Sequence, residues 1–425
     1  MTDVTTDILI VGAGPAGLAA ARAASSSPHR PRITIVDENQ GPGGQIWRRS
    51  VPRWVADLVE RAPSLNMELL SETTVAYRAA DGYLVATRGH EHPAPVRLRA
   101  GSIILATGAR ELFLPFPGWT LPNIMGAGGL QAMAKSGLAV AGKRIVIAGS
   151  GPLLLAVADY LHRHGAEIPA IIEQAPAAAI RRFGMSLIRH PSKLVQGALL
   201  KASLRSIPYW TDSWILRANA GRGAAVKSVL VHRGERFSRG PVELECDYVA
   251  CGFGLVPNTH LAAALGCRVS DGRVVVDELQ RTSDATIYAV GESVGVGGVE
   301  AAVAEGAVGG FAAAGARTAA IRARSGVVRA RRFAARLEET FALRAEVRGL
   351  AEEDTTFCRC EDVSYGAVRG HGTWREAKLQ TRCGMGPCQG RVCGAIARHV
   401  LGYDPVDPRP PVYPVPVTVL AGDQA

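Results

Sequence analysis

No apolar run in this 425-residue chain is long enough to cross a bilayer uninterrupted. The best candidate, residues 139–158, is broken by Lys143 and Arg144, whereas a spanning helix needs about 20 consecutive apolar positions. The N-terminus lacks the basic-then-apolar order of a secretion signal, because it begins MTD and its first apolar run leads into a glycine turn. A cytoplasmic protein without a transmembrane segment is therefore expected. A general base with an orienting acid is also missing. His162, His164, His190 and His260 sit at no spacing that marks catalysis, and each is expected at the surface or in a core. Acids are absent from residues 317–336, which hold seven arginines. Much of the net charge of +10 is thus local, and a uniformly basic nucleic-acid-binding surface is not indicated. That run is expected to be either a solvated helix face with a linker or a docking strip for an acidic partner protein. Cysteine is sparse until late in the chain. Cys246, Cys251 and Cys267 are isolated and read as small buried hydrophobes.

The length calls for two or three domains, and a 47 % hydrophobic content supports real cores. The chain is organised around residues 7–24, DILIVGAGPAGLAAARAA. The apolar run 8–11 suits a buried parallel strand. Gly12, Gly14 and Gly17, with Pro15 and Ala16 between them, complete GxGxxG ahead of an Ala-rich helix. Gly12 allows the tight turn, Gly14 lets backbone approach a pyrophosphate, and Gly17 lets helix pack on strand. The phosphates would rest on the free N–H groups of the helix start. A second strand, 32–36, ends at Asp37 followed by Glu38, about 20 residues past the last glycine, where a ribose-binding carboxylate belongs. Next comes GPGGQIWR at 41–48, where Gly43 and Gly44 relax the backbone and Gln45 offers an amide. It reads as a simple loop or as a place where a flavin or its diphosphate is touched.

Residues 69–99 alternate like short antiparallel strands. Residues 102–107 form an apolar strand closing on Ala106-Thr107-Gly108, small enough for a cofactor to approach. Beyond a Pro/Gly/Trp-rich crossover at 115–122 the βαβ pattern repeats: strand 144–148, turn Gly149-Ser150-Gly151, helix 153–164, and a strand ending at Glu173. Leu154 stands where the third glycine belongs and should push the helix off the strand. This second unit is a working dinucleotide site, a retained scaffold, or a site for another nucleotide; with a dinucleotide, Glu173 favours NAD over NADP. Residues 181–210 are basic, helix-like and fit neither unit. The strand 284–292 runs into Gly291 and Glu292, and an Ala/Gly-rich helix follows at 297–314. In a flavoprotein that acid can accept from ribityl hydroxyls, and the helix start can face the flavin.

These residues (Gly12, Gly14, Gly17, Asp37, Gly44-Gln45, Ala106-Thr107-Gly108, Gly291-Glu292) resemble those of the glutathione-reductase-like flavoproteins with two dinucleotide-binding domains. The resemblance implies an α/β fold with FAD on the first unit, discontinuous over 1–118 and 271–325. A second, NAD-like and degenerate domain is implied at 119–270, so a second nucleotide, NAD or other, stays open. The usual Asp after the late glycine is Glu292 here, and no CxxC lies beside the flavin region, so a thioredoxin-reductase-type dithiol mechanism is not expected.

Five of the eight cysteines fall between Cys358 and Cys393. In a chain without a secretion signal this favours metal ligation over disulfides. Thiolates take an iron–sulfur cluster or zinc, and the one-residue spacer of Cys358-Arg-Cys360 fits zinc knuckles poorly. The pattern CxC followed by GMGPCQGRVC resembles the small helical [2Fe-2S] domain of bacterioferritin-associated ferredoxin. That resemblance implies Cys358, Cys360, Cys388 and Cys393 as ligands, with Cys383 a bystander, in a domain at 353–404 after a linker at 326–352. A Pro-rich tail, 405–425, reads as an extended strap.

With AGSGPLLLAVA at 148–158 and CGFGLVPN at 251–258, the whole arrangement resembles the FAD-containing A (alpha) subunits of opine oxidases, hydroxyproline dehydrogenases and hydrogen cyanide synthase. This implies a heteromeric oxidoreductase in which a second flavoprotein subunit oxidises the C–N bond of an amino or imino acid. A small ferredoxin-like subunit is common in that group, and this chain would relay electrons. The alternative is a stand-alone NAD(P)H-dependent flavin/iron–sulfur reductase.

Overall fold

In the computed structural model, residues 2–48, 50–234, 240–405 and 408–421 are described. The chain divides into two compact units. One contains Met1–Arg110, Val256–Ala335 and Asp407–Ala425; the other contains Glu111–Leu255 and Arg336–Val406.

The first unit is built on β1 (Thr2–Val11), whose Ile8, Leu9 and Ile10 are fully buried. Residues apolar on both faces can only lie inside a covered parallel sheet. Helix α1 (Pro15–Ser25) follows, then β2 (Ile33–Val36), β3 (Met67–Leu70), β4 (Thr73–Arg78), β5 (Leu84–Arg88) and β6 (Ala94–Leu105). The sheet order is β3-β2-β1-β6-β5-β4, with the strand Ile287–Ala289 also on β6. The separate strands expected at 69–99 and 102–107 meet in the single twelve-residue β6. Its first half pairs antiparallel with β5, and its Ile103–Leu105 end pairs parallel with Ile287–Ala289. The switch follows the sequence: alternation to residue 101 gives a half-exposed edge, and the run Ile103-Ile104-Leu105 needs cover on both faces. Against α1 lies the helix Gly298–Ala313. Side chains at Gly306 and Gly310 would strike the carbonyls of Ala16 and Ala20 at 2.2 Å, so only glycine admits this approach.

The second unit carries a parallel sheet. Its order is Tyr209–Trp210, Ile171–Glu173, Ile145–Gly149, Tyr248–Gly252, Ile124–Gly126. A three-stranded antiparallel sheet accompanies it (Trp214–Ala220, Val226–His232, Val242–Glu245).

The boundaries differ from those expected. The first unit ends at Arg110 rather than 118 and resumes at Val256 rather than 271. The cysteine-bearing segment belongs to the same compact unit as the second nucleotide fold, where Trp119 Nε1 donates to Thr356 O at 2.6 Å. In place of a linker opening at 326, a continuous helix runs from Arg317 to Thr340. The tail belongs to the first unit, where Val412 N donates to Ala76 O at 2.9 Å.

Candidate cofactor sites

In the first glycine turn, Gly12 has φ +110°, and a Cβ there would lie 2.3 Å from Ala106 O. A Cβ on Gly17 would lie 1.8 Å from Gly12 O. Both positions are closed by the protein itself. Gly14 differs: its nearest neighbour would be Gly44 Cα at 4.0 Å. The backbone there faces open space, as a diphosphate requires. The start of α1 has no side-chain cap and no acid in its first turn, so its N–H groups are not claimed by side chains.

The other expected residues converge on this turn. Gly44 packs on Gly14, where a Cβ would meet Cα at 3.0 Å, and Gly43 N donates to Ala13 O at 2.8 Å. Gly291 faces Ala16 Cβ at 2.6 Å from where its own Cβ would be. Asp37 is buried; Oδ2 accepts from Ala13 N at 2.5 Å and Oδ1 from Asn39 N at 2.8 Å. That fixes the carboxylate at the end of β2 with lone pairs to spare. Glu38 and Gln45 are exposed beside it. Glu292 Oε1 accepts from Gly298 N at 2.7 Å, and Oε2 is buried with no partner among the described residues. Burial pushes this carboxyl upward in pKa. An orphaned buried acceptor is what a ribityl hydroxyl would satisfy. These features fit FAD.

Thr107 serves the fold as well. Its hydroxyl donates to Asn258 O at 2.7 Å, and Asn258 Nδ2 returns a bond to Thr107 O at 2.9 Å. Arg110 Nη1 donates to Asn258 Oδ1 at 2.9 Å. Gly108 beside it takes φ +68°. Sequence reasoning missed Glu305, which is 1 % exposed, accepts from Gly291 N at 3.0 Å and pairs with Arg331 Nε at 2.5 Å. Its one signal was a lone acid in an Ala/Gly-rich helix. Arg331 also donates to Gly295 O, so this member of the arginine run braces the Gly291 turn instead of facing solvent.

The second glycine turn is covered by its own chain. Ser150 Oγ donates to Phe341 O at 3.0 Å, and Gln174 Nε2 donates to Ala342 O at 3.0 Å. Arg344 N donates to Gln174 Oε1 at 3.0 Å. The Phe341 ring lies 3.7 Å from where a Cβ on Gly151 would sit. Leu154 does not force helix and strand apart: it is fully buried and lies over Gly252, whose missing side chain makes the room. Nothing in the glycine spacing announced Phe341, which is distant in sequence.

Glu173 is fully buried. Its oxygens accept from Gly151 N at 2.7 Å and Ala175 N at 2.9 Å. Burial outweighs those donors and raises its pKa from 4.5 to about 7. The folded state thus holds a proton that the unfolded chain has released between these values. Stability is expected to fall as pH rises through this window, by up to about 3 kcal/mol. Urea midpoints measured at intervals across it should show the decline. A Glu173→Gln variant should flatten it, and an equal slope in both proteins would refute the assignment.

The five late cysteines gather in one place. Cys358, Cys383 and Cys393 are buried, with sulfurs all within 4.8 Å of one another. Cys388 contacts Cys393 and Cys360 through sulfur hydrogen bonds. Cys360 is exposed and Cys388 half-buried. Backbone N–H groups of Gly384 and Glu361 point at Cys358, and those of Val392 and Gly390 at Cys388. Hydrogen bonds from Cys383 and Cys393 hold the Cys358 thiol down at about 2. A Cβ on Gly386 would strike Cys360 Cβ at 2.3 Å, and one on Gly384 would strike Trp374 at 2.7 Å. Soft donors, N–H groups aimed at sulfur and a tight glycine loop fit a thiolate-bound metal centre. The expected ligands Cys358, Cys360, Cys388 and Cys393 are brought together, and Cys383 lies among them. The isolated Cys246, Cys251 and Cys267 are buried.

Residues 6–306 match the profile of pyridine nucleotide-disulphide oxidoreductases. The A (alpha) chain of opine oxidase from Rhizobium meliloti is 32 % identical, covering 91 % of this chain and 90 % of that one. Hydrogen cyanide synthase subunit HcnB of Pseudomonas aeruginosa is 30 % identical, covering 97 % of each. Among solved structures, L-proline dehydrogenase from P. horikoshii aligns with a TM-score of 0.69 at 20 % identity, over 99 % of this chain and 80 % of that one. At that identity the likeness speaks for the fold.

Proposed function

The chain belongs to the pyridine nucleotide-disulphide oxidoreductase family, grouped with the opine oxidase alpha chain and HcnB, and from that premise we propose that it is an electron-relay subunit. It is an FAD-dependent oxidoreductase. Its role is to pass electrons within a heteromeric dehydrogenase or oxidase acting on the C–N bond of an amino or imino acid. A second flavoprotein subunit holds the substrate. A flavin takes electrons as a hydride and releases them singly, and a [2Fe-2S] cluster takes one at a time.

The residues divide this work. Gly14 and the start of α1 receive the FAD diphosphate. Asp37 is the ribose partner. Glu292 offers its free oxygen to the ribityl chain, and Gly291, braced by Glu305, sets its position. Cys358, Cys360, Cys388 and Cys393 hold the cluster, with N–H groups at Cys358 and Cys388 offsetting its negative charge. The second nucleotide fold is a retained scaffold.

The covered second turn carries this reading. A reductase fed by NAD(P)H needs a free phosphate turn, and residues 341–344 already bond to this one. Anaerobic addition of NADH or NADPH to the purified chain is expected to leave the flavin oxidised. Reduction should follow only when the partner flavoprotein and an amino or imino acid are supplied. Rapid bleaching by NADH alone would establish the stand-alone reductase instead.

A further inference from the structure

Residues 174–211, which fit neither nucleotide fold by sequence, form two consecutive helices in the second unit, Ala177–Ser186 and Pro191–Ser203. Neither helix buries a residue. The chain is anchored only after them, where Leu204 and Ile207 enter the core of the second nucleotide fold. Along the helices Met185, Ile188, Leu194, Val195 and Leu199 are 64, 72, 42, 57 and 66 % exposed. Single exposed apolar residues are ordinary; five this close together mark an interaction surface.

The charge of the stretch has one sign. Residues 176–210 contain no Asp or Glu, and they carry Arg181, Arg182, Arg189, Lys193, Lys201 and Arg205. Arg181, Arg182, Lys201 and Arg205 are not buried. Protein–protein surfaces usually carry a polar rim around an apolar centre. Apolar side chains interleaved with cations alone match a surface that is anionic throughout and apolar just beneath, which is an acidic phospholipid leaflet. Among the described residues no helix is long and apolar enough to cross a membrane, so the contact would be one of lying on the surface.

We infer that these two helices form a peripheral membrane-binding surface that seats the protein on anionic phospholipid. The apolar side chains enter the headgroup boundary, and the cations pair with lipid phosphates. This goes beyond the relay role and does not depend on it.

The test is co-sedimentation of the purified flavin-loaded protein with phosphatidylcholine vesicles, with and without about one-third phosphatidylglycerol. Binding is expected only to the anionic vesicles and should be lost at high salt, where charges are screened. A triple variant, Arg181→Glu/Arg182→Glu/Lys201→Glu, should bind at least about tenfold more weakly. So should Ile188→Ser/Leu199→Ser. Because none of these side chains is buried, both variants should keep the flavin spectrum and far-ultraviolet circular dichroism of the parent. Failure to bind anionic vesicles at low salt would overturn the proposal. So would equal binding to neutral vesicles, or binding that survives both variants. Concentration-dependent self-association, or complex formation with an acidic partner protein, that these variants abolish while no vesicle binding occurs would assign the surface to protein instead.

Discussion

A Cys393→Ala variant is expected to purify with less than about a tenth of the parent's iron, because structural metal sites lose their centre when one of four ligands goes. Cys393 touches Cys358, Cys383 and Cys388 at once, so no neighbouring sulfur can take its place without moving. Cys383→Ala is expected to keep the iron and the visible and electron-paramagnetic-resonance signals of a [2Fe-2S] centre. The two substitutions remove thiols of similar burial, so loss of packing alone predicts equal damage from both. Iron and acid-labile sulfide analysis with low-temperature spectra separates these outcomes. If Cys383→Ala loses the iron and Cys360→Ala keeps it, the fourth ligand is Cys383, whose buried sulfur lies within 4.8 Å of those of Cys358 and Cys393. Zinc in place of iron in the anaerobically purified parent would remove the cluster from the account.

The second large effect is expected at Gly14. Its backbone, φ −77° and ψ −176°, is ordinary for alanine, and an added Cβ meets nothing closer than 4.0 Å. Gly14→Ala should therefore leave the apoprotein's melting temperature unchanged. The methyl group would stand where the diphosphate approaches, and FAD affinity should fall by at least about tenfold. Gly17→Ala is the contrasting case. Its Cβ would overlap Gly12 O at 1.8 Å, so α1 must shift, and stability should fall by about 1–3 kcal/mol along with FAD binding. Flavin retention after gel filtration and thermal melts of the apoproteins provide both readouts. Unchanged FAD affinity in Gly14→Ala would remove the diphosphate from this turn.

Local chemistry was readable wherever neighbouring residues supply it. Gly12, Gly14, Gly17 and Asp37 lie within one βαβ unit, so their spacing fixes their relation, and the structure places them together. The same holds for the glycine loop that presents Cys388 and Cys393. Sequence reasoning failed where the decisive partner is remote. Leu154 looked like a steric fault because Gly252, which accommodates it, is a strand away. Glu305 and Arg331 sit on two different helices and become a pair only when both pack near the Gly291 turn.

By itself the sequence determined the periodicities, the two glycine turns, the acids that end their second strands and the sulfur-rich loop, because each is a property of a short segment. Only the tertiary structure decided which glycine turn stays open. The open space at Gly14 and the cover over Gly151 arise from where Gly44 and Phe341 come to rest, and contacts between distant segments are set by packing, not by spacing along the chain.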